Sequence, residues 1–272
     1  MGNNYNQRLD ELFCRWMGSL SEEEQLLFCK DGLLIKSDRP SEFVDEQWGK
    51  ARRRVLFLLK DKNTPDGDDI RLWLVDERNG KNNRRLAGGG VGRTGFLPNL
   101  ARLLYGLLVT EKDVRMGFEE VKKSRMGEVR TIWNTEPFGF VESKKLAGYS
   151  SVSSKMVTDA MERDEAFLKE EIDILRPNII VCCDADDSQF DFVTLRYFAG
   201  KEVERYSERN SFVFVEGKKF VHCFFTSFIL HNSSLFPLIF ILCRIISKFV
   251  IVARKLHTNF IIHRFNRRCN CL

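Results

Sequence analysis

The residues of this chain best suited to chemistry stand in a polar stretch, Lys60-Asp61-Lys62-Asn63-Thr64-Pro65-Asp66-Gly67, directly after five apolar residues, Val55-Leu56-Phe57-Leu58-Leu59. Asp61, Asn63 and Asp66 bring two carboxylates and an amide, groups able to move protons and to hold a polar ligand. A short apolar run closed by Asp, Asn, Pro and Gly reads as a buried parallel strand that delivers side chains to its carboxyl end. Ligands of open α/β sheets bind at that end. A solvated strand-to-helix turn uses the same residue types, so both uses stay open at this point.

The rest of the composition narrows the chemistry. Glu216 is the last acidic residue. Of the 43 Lys and Arg residues nine lie beyond it, which leaves 34 against 38 acidic groups, a net −4, in residues 1–216. All four histidines (His222, His231, His257, His263) also lie beyond Glu216, so a histidine base, metal ligand or Ser-His-Asp arrangement is excluded from residues 1–216 alone. Chemistry there must use carboxylates, amides, hydroxyls, Lys or Cys. The eight cysteines contain no CxxC pair, and no metal, iron–sulfur cluster or other cofactor is expected. The adjacent Cys182 and Cys183 end an apolar run and read as small buried residues of a strand. Gly90-Val91-Gly92-Arg93-Thr94-Gly95 matches GxGxxG, but Asn83-Arg84-Arg85-Leu86 before it is no apolar strand, so the dinucleotide-binding context fails.

The elements that must position these groups follow from periodicity. Leu9, Leu12, Phe13, Trp16, Met17 and Leu20, then Leu26 and Leu27, predict two helices in residues 5–35, the second started by Ser21 and Glu22-Glu23-Glu24. Residues 37–50 read as a connection, and Arg52-Arg53-Arg54 as a turn before the first strand. Further helices are predicted over 68–78, 98–108, 114–124, 161–175 and 190–200. Residues 136–141 predict a strand, and 142–148 a polar loop after it. Residues 178–184 predict a third buried strand, ending near Asp184, Asp186 and Asp187; 212–215 and 220–224 predict a last hairpin. Strands alternating with helices predict a three-layer α/β/α sandwich with a mainly parallel central sheet, preceded by a helical N-terminal extension.

The order of these pieces over about residues 45–225 resembles the uracil-DNA glycosylase superfamily, in particular its divergent bacterial members. Four places carry the resemblance: residues 55–67; residues 98–108, with Leu104-Tyr105-Gly106-Leu107; residues 138–148; and residues 168–184, a helix, a proline and a strand. The resemblance implies DNA or a nucleotide-like ligand as partner and hydrolysis of an N-glycosidic bond. It implies that Asp61, helped by Asn63, positions a water against the sugar carbon. Cleavage develops oxocarbenium-like charge, which a fixed carboxylate favours. It implies that Glu142, standing where the family commonly has Asn, reads the polar edge of the flipped base. Phe138 or Phe140 would stack on that base, and Arg93, Thr94, Lys144 and Lys145 would grip phosphate. The family's His-Pro-Ser-like loop is replaced by Phe224-Phe225-Thr226-Ser227, with His222 the histidine placed to substitute. A catalytically inactive binding module on the same fold is the alternative that these departures favour.

Three regions are expected: 1–50 as the N-terminal helical extension, 51–225 as the glycosylase-like α/β domain, and 226–272 as a hydrophobic basic tail. Residues 218–272 have the Phe, Ile and Cys abundance of an AT-rich region read out of frame, so a frameshifted end is one reading. The other is membrane association through residues 235–253. There Arg244 and Lys248 would each cost about 2.5–3.5 kcal/mol at a bilayer centre, nearly cancelling some dozen apolar residues at about 0.3–0.6 kcal/mol apiece. The opening residues show no secretory signal, and a monomer in a reducing, cytoplasmic setting is expected.

Overall fold

The computed structural model describes residues 4–35, 41–63, 65–72, 96–109, 126–148, 152–184, 187–205, 212–215 and 219–223. The apolar run that opens the sequence argument becomes strand β2 (Val55–Asn63), flanked by β3 (Gly139–Gly148) and β4 (Ile179–Cys182), both parallel to it. A strand paired on both sides can be apolar on both faces, and Val55, Leu56, Phe57 and Leu58 are at most 1% exposed. β7 (Lys219–Cys223) pairs parallel with β4, so four parallel strands run in the order β3-β2-β4-β7. Antiparallel strands extend both edges: β1 (Gly32–Leu33) on β3, and β6 (Phe212–Val215) then β5 (Val203–Arg205) beyond β7. The hairpin expected near the end of the described chain is thus β6-β7.

Strand alternation divides the core in two. Val55, Phe57 and Leu59 join one apolar cluster with residues of α4 (Phe96–Val109) and α5 (Met126–Thr135). Leu56 and Leu58 join the other, with residues of α1 (Tyr5–Met17), α3 (Ser41–Lys50), α6 (Ser154–Arg163) and α7 (Glu165–Leu175). The described helices between β2 and β3, α4 and α5, therefore pack in the first cluster, and those between β3 and β4, α6 and α7, in the second. The chain leaves β2 towards β3 and leaves β4 in the opposite direction, towards β7, so the switch point, the usual ligand position in such sheets, falls at the carboxyl ends of β2 and β4.

The described residues of the N-terminal segment, 4–35 and 41–50, contribute to this core. Leu9, Leu12, Phe13 and Trp16 of α1, spaced i, i+3, i+4, i+7, are fully buried in the second cluster, each contributing on the order of 1.5–3 kcal/mol. β1 joins the sheet where Gly32, at φ +130, lets the backbone pass Leu9: a Cβ there would lie 2.4 Å from Leu9 Cδ1. The second helix, α2 (Glu22–Leu27), starts as its sequence predicts, with a capping box between Ser21 and Glu24.

Several expected elements differ. The connection expected over 37–50 contains α3, whose Val44 and Trp48 are fully buried; Trp48 Nε1 donates to Leu175 O at 2.7 Å. One i, i+4 apolar pair is a faint stripe, and its weight comes from the distant helix it meets. Of the helix expected over 68–78, the described part, to Leu72, holds a 3₁₀ turn at Ile70–Leu72, where the Asp69 carboxylate accepts from Arg71 N and holds the buried Arg71 guanidinium at 2.6 Å. Residues 73–95 and 114–124 lie outside the described residues. The helix expected over 161–175 is two, α6 and α7, broken at Asp164, whose N–H closes the first on Ala160 O. The helix expected over 190–200 is a short turn, α8 (Ser188–Asp191), running into π-type turns to Tyr197. Arg53 and Arg54, expected in a solvated turn, instead donate to the carbonyls of Leu107 and Arg176 at the carboxyl ends of α4 and α7, where cations are favoured.

Candidate functional site

Asp61 does not sit in a loop. β2 continues through Asn63, and β3 continues through Gly148, so the polar residues 142–148 are strand as well. The register pairs Leu59 with Glu142 and Asp61 with Lys144. Paired residues of parallel strands point to the same face, which puts Leu59, Asp61, Glu142 and Lys144 on the α4/α5 side. Beyond Asp61 the register slips: Asn63 pairs with Gly148, two residues of β2 against four of β3. This bulge folds the end of β3 back over the pair, and a Cβ on Gly148 would lie 2.8 Å from Asp61 Oδ2.

Lys144 Nζ lies 3.5 Å from Asp61 Oδ2, with side-chain exposures of 13% and 7%, and donates to Leu146 O. Burial raises the Asp61 carboxyl above its ordinary value, while Lys144 and Lys60 draw it back. Asp61 Oδ2 has no hydrogen-bond partner among the described residues, and neither has Glu142 Oε2. Glu142 is 4% exposed, and its carboxyl is pushed up to about 8, first by burial, then by Asp31 and Asp61, against Lys145 and Lys62. Two thiols border it: burial, then Glu142, pushes Cys29 up to about 11, and burial raises Cys183 strongly. The site therefore holds a carboxyl group beside a lysine and a second carboxyl whose pKa burial pushes up to about 8. Such a pair can accept and donate protons without histidine.

The remaining expected site residues are corrected or fall elsewhere. Phe138 and Phe140 are fully buried in the first cluster, Phe138 against Trp133 at 4.5 Å between ring centroids and Phe140 against Phe57 at 5.8 Å. They are core, unavailable to stack on a base, because the strand they open is flanked by β1 and β2 and covered by α5. Lys145 is not a phosphate contact. It alternates to the opposite face, is fully buried, and lies 2.5 Å from Asp31 and 2.7 Å from Glu171, over the rings of Phe13 and Trp16. Arg93, Thr94, Phe225 and residues 235–253 lie outside the described residues. Asn63 is brought to the end of β2 beside Gly148. His222 falls in β7, in register with Val181, so β4 separates it from β2.

Sequence reasoning missed Asp31, Cys29, Glu171 and Gln189. Gln189, fully buried, ties the end of β4 to β3: its Oε1 accepts from Cys183 N at 2.7 Å and its Nε2 donates to Ser143 Oγ at 2.8 Å. Asp184, expected among the strand-end carboxylates, is buried and accepts from Ser188 Oγ and Gln189 N, a structural use. Glu171 carried a signal, since it interrupts the apolar stripe of Leu168, Ile172 and Leu175. At the opposite end of β2 a cleft of about 200 Å³ is lined by Ala51, Arg52, Arg53, Leu108, Ile132, Glu136 and Pro137. Among the described residues no group of three or more His, Cys, Asp or Glu could hold a metal ion, and no helix is long and apolar enough to cross a membrane.

Comparison with known protein families, and with curated protein sequences, gives no match for this chain.

Proposed function

We propose that this chain binds DNA or a nucleotide-like ligand at the carboxyl ends of β2 and β3 and hydrolyses an N-glycosidic bond there, with Asp61 as the group that orients the attacking water. The observation that carries the reading is the pair of buried carboxyl groups, Asp61 in its ion pair with Lys144 and Glu142 with an oxygen lacking a hydrogen-bond partner among the described residues, on the carboxyl-terminal parts of β2 and β3, with β2 also one side of the switch point. A carboxylate fixed near the sugar favours the oxocarbenium-like charge of the reaction, and Lys144 keeps Asp61 more acidic than burial alone would. Glu142 is the group that reads the base. On this reading the two apolar clusters are the two sides of a three-layer α/β/α sandwich around a sheet of glycosylase-like order.

A second reading, a binding module without catalysis, is favoured by the sealing of Phe138, Phe140 and Lys145 into the core, which removes one stacking wall and one phosphate contact. Abasic-site formation separates the two. The full-length chain is incubated with single- and double-stranded oligonucleotides carrying uracil, hypoxanthine or a mismatched base, beside Asp61→Asn. Cleavage by the parent chain and a loss of about 100-fold or more in the variant supports hydrolysis at Asp61. Binding without cleavage by the folded parent chain selects the second reading.

A further inference from the structure

Five acidic side chains and three lysines meet around the middle of β3. Lys145 is committed to Asp31 and Glu171, Lys62 donates to Asp68 at 2.7 Å, and Lys144 serves Asp61 and the Leu146 carbonyl. Glu142 is the acid of this group that makes no ion pair with any of these lysines, and its Oε2 is buried with no hydrogen-bond partner among the described residues. The charged and titratable groups around it are Cys29 and Asp31 from the N-terminal segment, Asp61 and Lys62 from β2, Lys145 from its own strand and Cys183 beyond β4. Its backbone N–H already donates to Asp31 Oδ2 at 2.6 Å, which holds a second carboxyl group close to it. An ionised carboxylate left buried beside other carboxylates is costly, and such a group neutralises instead.

We propose that Glu142 works in this site as an un-ionised acid, offering a ligand one O–H donor and one C=O acceptor. A neutral carboxylic acid thereby presents the donor and acceptor of an amide, and it selects a ring edge with an N–H beside a carbonyl, the lactam or imide edge. An anionic ligand edge is rejected, because it would meet Asp31 and Asp61. The inference rests on the reading of the Asp61 end of the sheet as the ligand site. The raised Glu142 carboxyl, at about 8, accords with it.

Two measurements on the full chain test it. The first is a ¹³C NMR titration of side-chain carboxyl groups, with the Glu142 signal assigned by its loss in Glu142→Gln. The second is binding, from about pH 6 to about pH 9.5, of a single-stranded oligonucleotide carrying 2′-deoxyuridine or its N3-methyl derivative. Expected are a Glu142 signal that titrates well above ordinary glutamates and parent-chain binding that weakens by about tenfold per pH unit above pH about 8. Glu142→Gln, which keeps donor and acceptor without titrating, should lose the parent's decline near pH about 8 and weaken only where the N3–H of the probe itself ionises. The N3-methyl probe should bind at least about tenfold more weakly, for want of its N–H. Titration of Glu142 in the ordinary carboxylate range, pH-independent parent binding, or no discrimination between the probes overturns the proposal. Binding with these properties but without base release sinks the hydrolytic reading and leaves this one standing; base release with pH-flat binding does the reverse.

Discussion

Lys144 and Lys145 are neighbours in sequence and opposites in the fold. Lys145 is enclosed on the α1/α7 side by Asp31, Glu171, Phe13 and Trp16, while Lys144 stands near the surface on the other side beside Asp61. Two like residues, one step apart on a strand, are sent by its alternation to a sealed ion cluster and to an open-ended one. The contrast teaches which charges are structural. Around Lys145 two carboxyl groups and two rings close within the core and hold elements together; Glu142, on the other face, has a buried oxygen without a hydrogen-bond partner among the described residues and no ion pair with these lysines.

The largest effect should come from the sealed side. Lys145→Met leaves Asp31 and Glu171 buried without their cation and should cost about 3–5 kcal/mol in urea denaturation. A cost under about 1 kcal/mol would erase the contrast. Phe138→Ala should cost about as much, roughly 3–5 kcal/mol, by opening a cavity against Trp133 and Phe57. Lost ligand affinity at unchanged stability would restore that ring as a stacking wall.

The pH dependence of stability probes the open side. Glu142 is raised in the folded state, so its contribution is complete below the ordinary glutamate value of about 4.3 and is lost as pH rises towards about 8. Asp61 and Glu171, also raised, act in the same direction. Unfolding free energies from urea denaturation between these limits should fall with pH by up to about 1.4 kcal/mol per unit more in the parent chain than in Glu142→Gln. Equal slopes would show that Glu142 titrates alike folded and unfolded. The smallest change belongs to Lys144→Met, about 1–2 kcal/mol, accompanied by a further rise of the Asp61 carboxyl and hence an upward shift of the acid limb of any activity profile. An unshifted limb would separate Lys144 from Asp61.

Much of the scaffold was legible from sequence because it rests on local pattern. The run Val55-Leu56-Phe57-Leu58-Leu59 is apolar on both faces since β2 has neighbours on both sides, and the stripes of α1 and α4 announce single buried faces. The candidate site was half legible. Asp61 was found at the end of β2, but Glu142 to Gly148 read as a loop, because their polar side chains answer to partners far along the chain. Lys145 pairs with Asp31 at a separation of 114 residues, and Ser143 with Gln189 at 46. No local signal marks Asp31. Phe138 and Phe140 read equally as ring wall or core, and only the packing of α5 on β3 decides between them.

The central claim, that the open carboxyl pair is the ligand site, is tested most directly by backbone amide NMR of the full chain titrated with a deoxyuridine-containing oligonucleotide. The account predicts shifts concentrated at Leu59, Asp61, Glu142 and Lys144, with the amides of Phe13, Trp16 and Lys145 little changed. Shifts centred on Arg52, Ile132 and Glu136, around the cleft at the opposite end of β2, would contradict it.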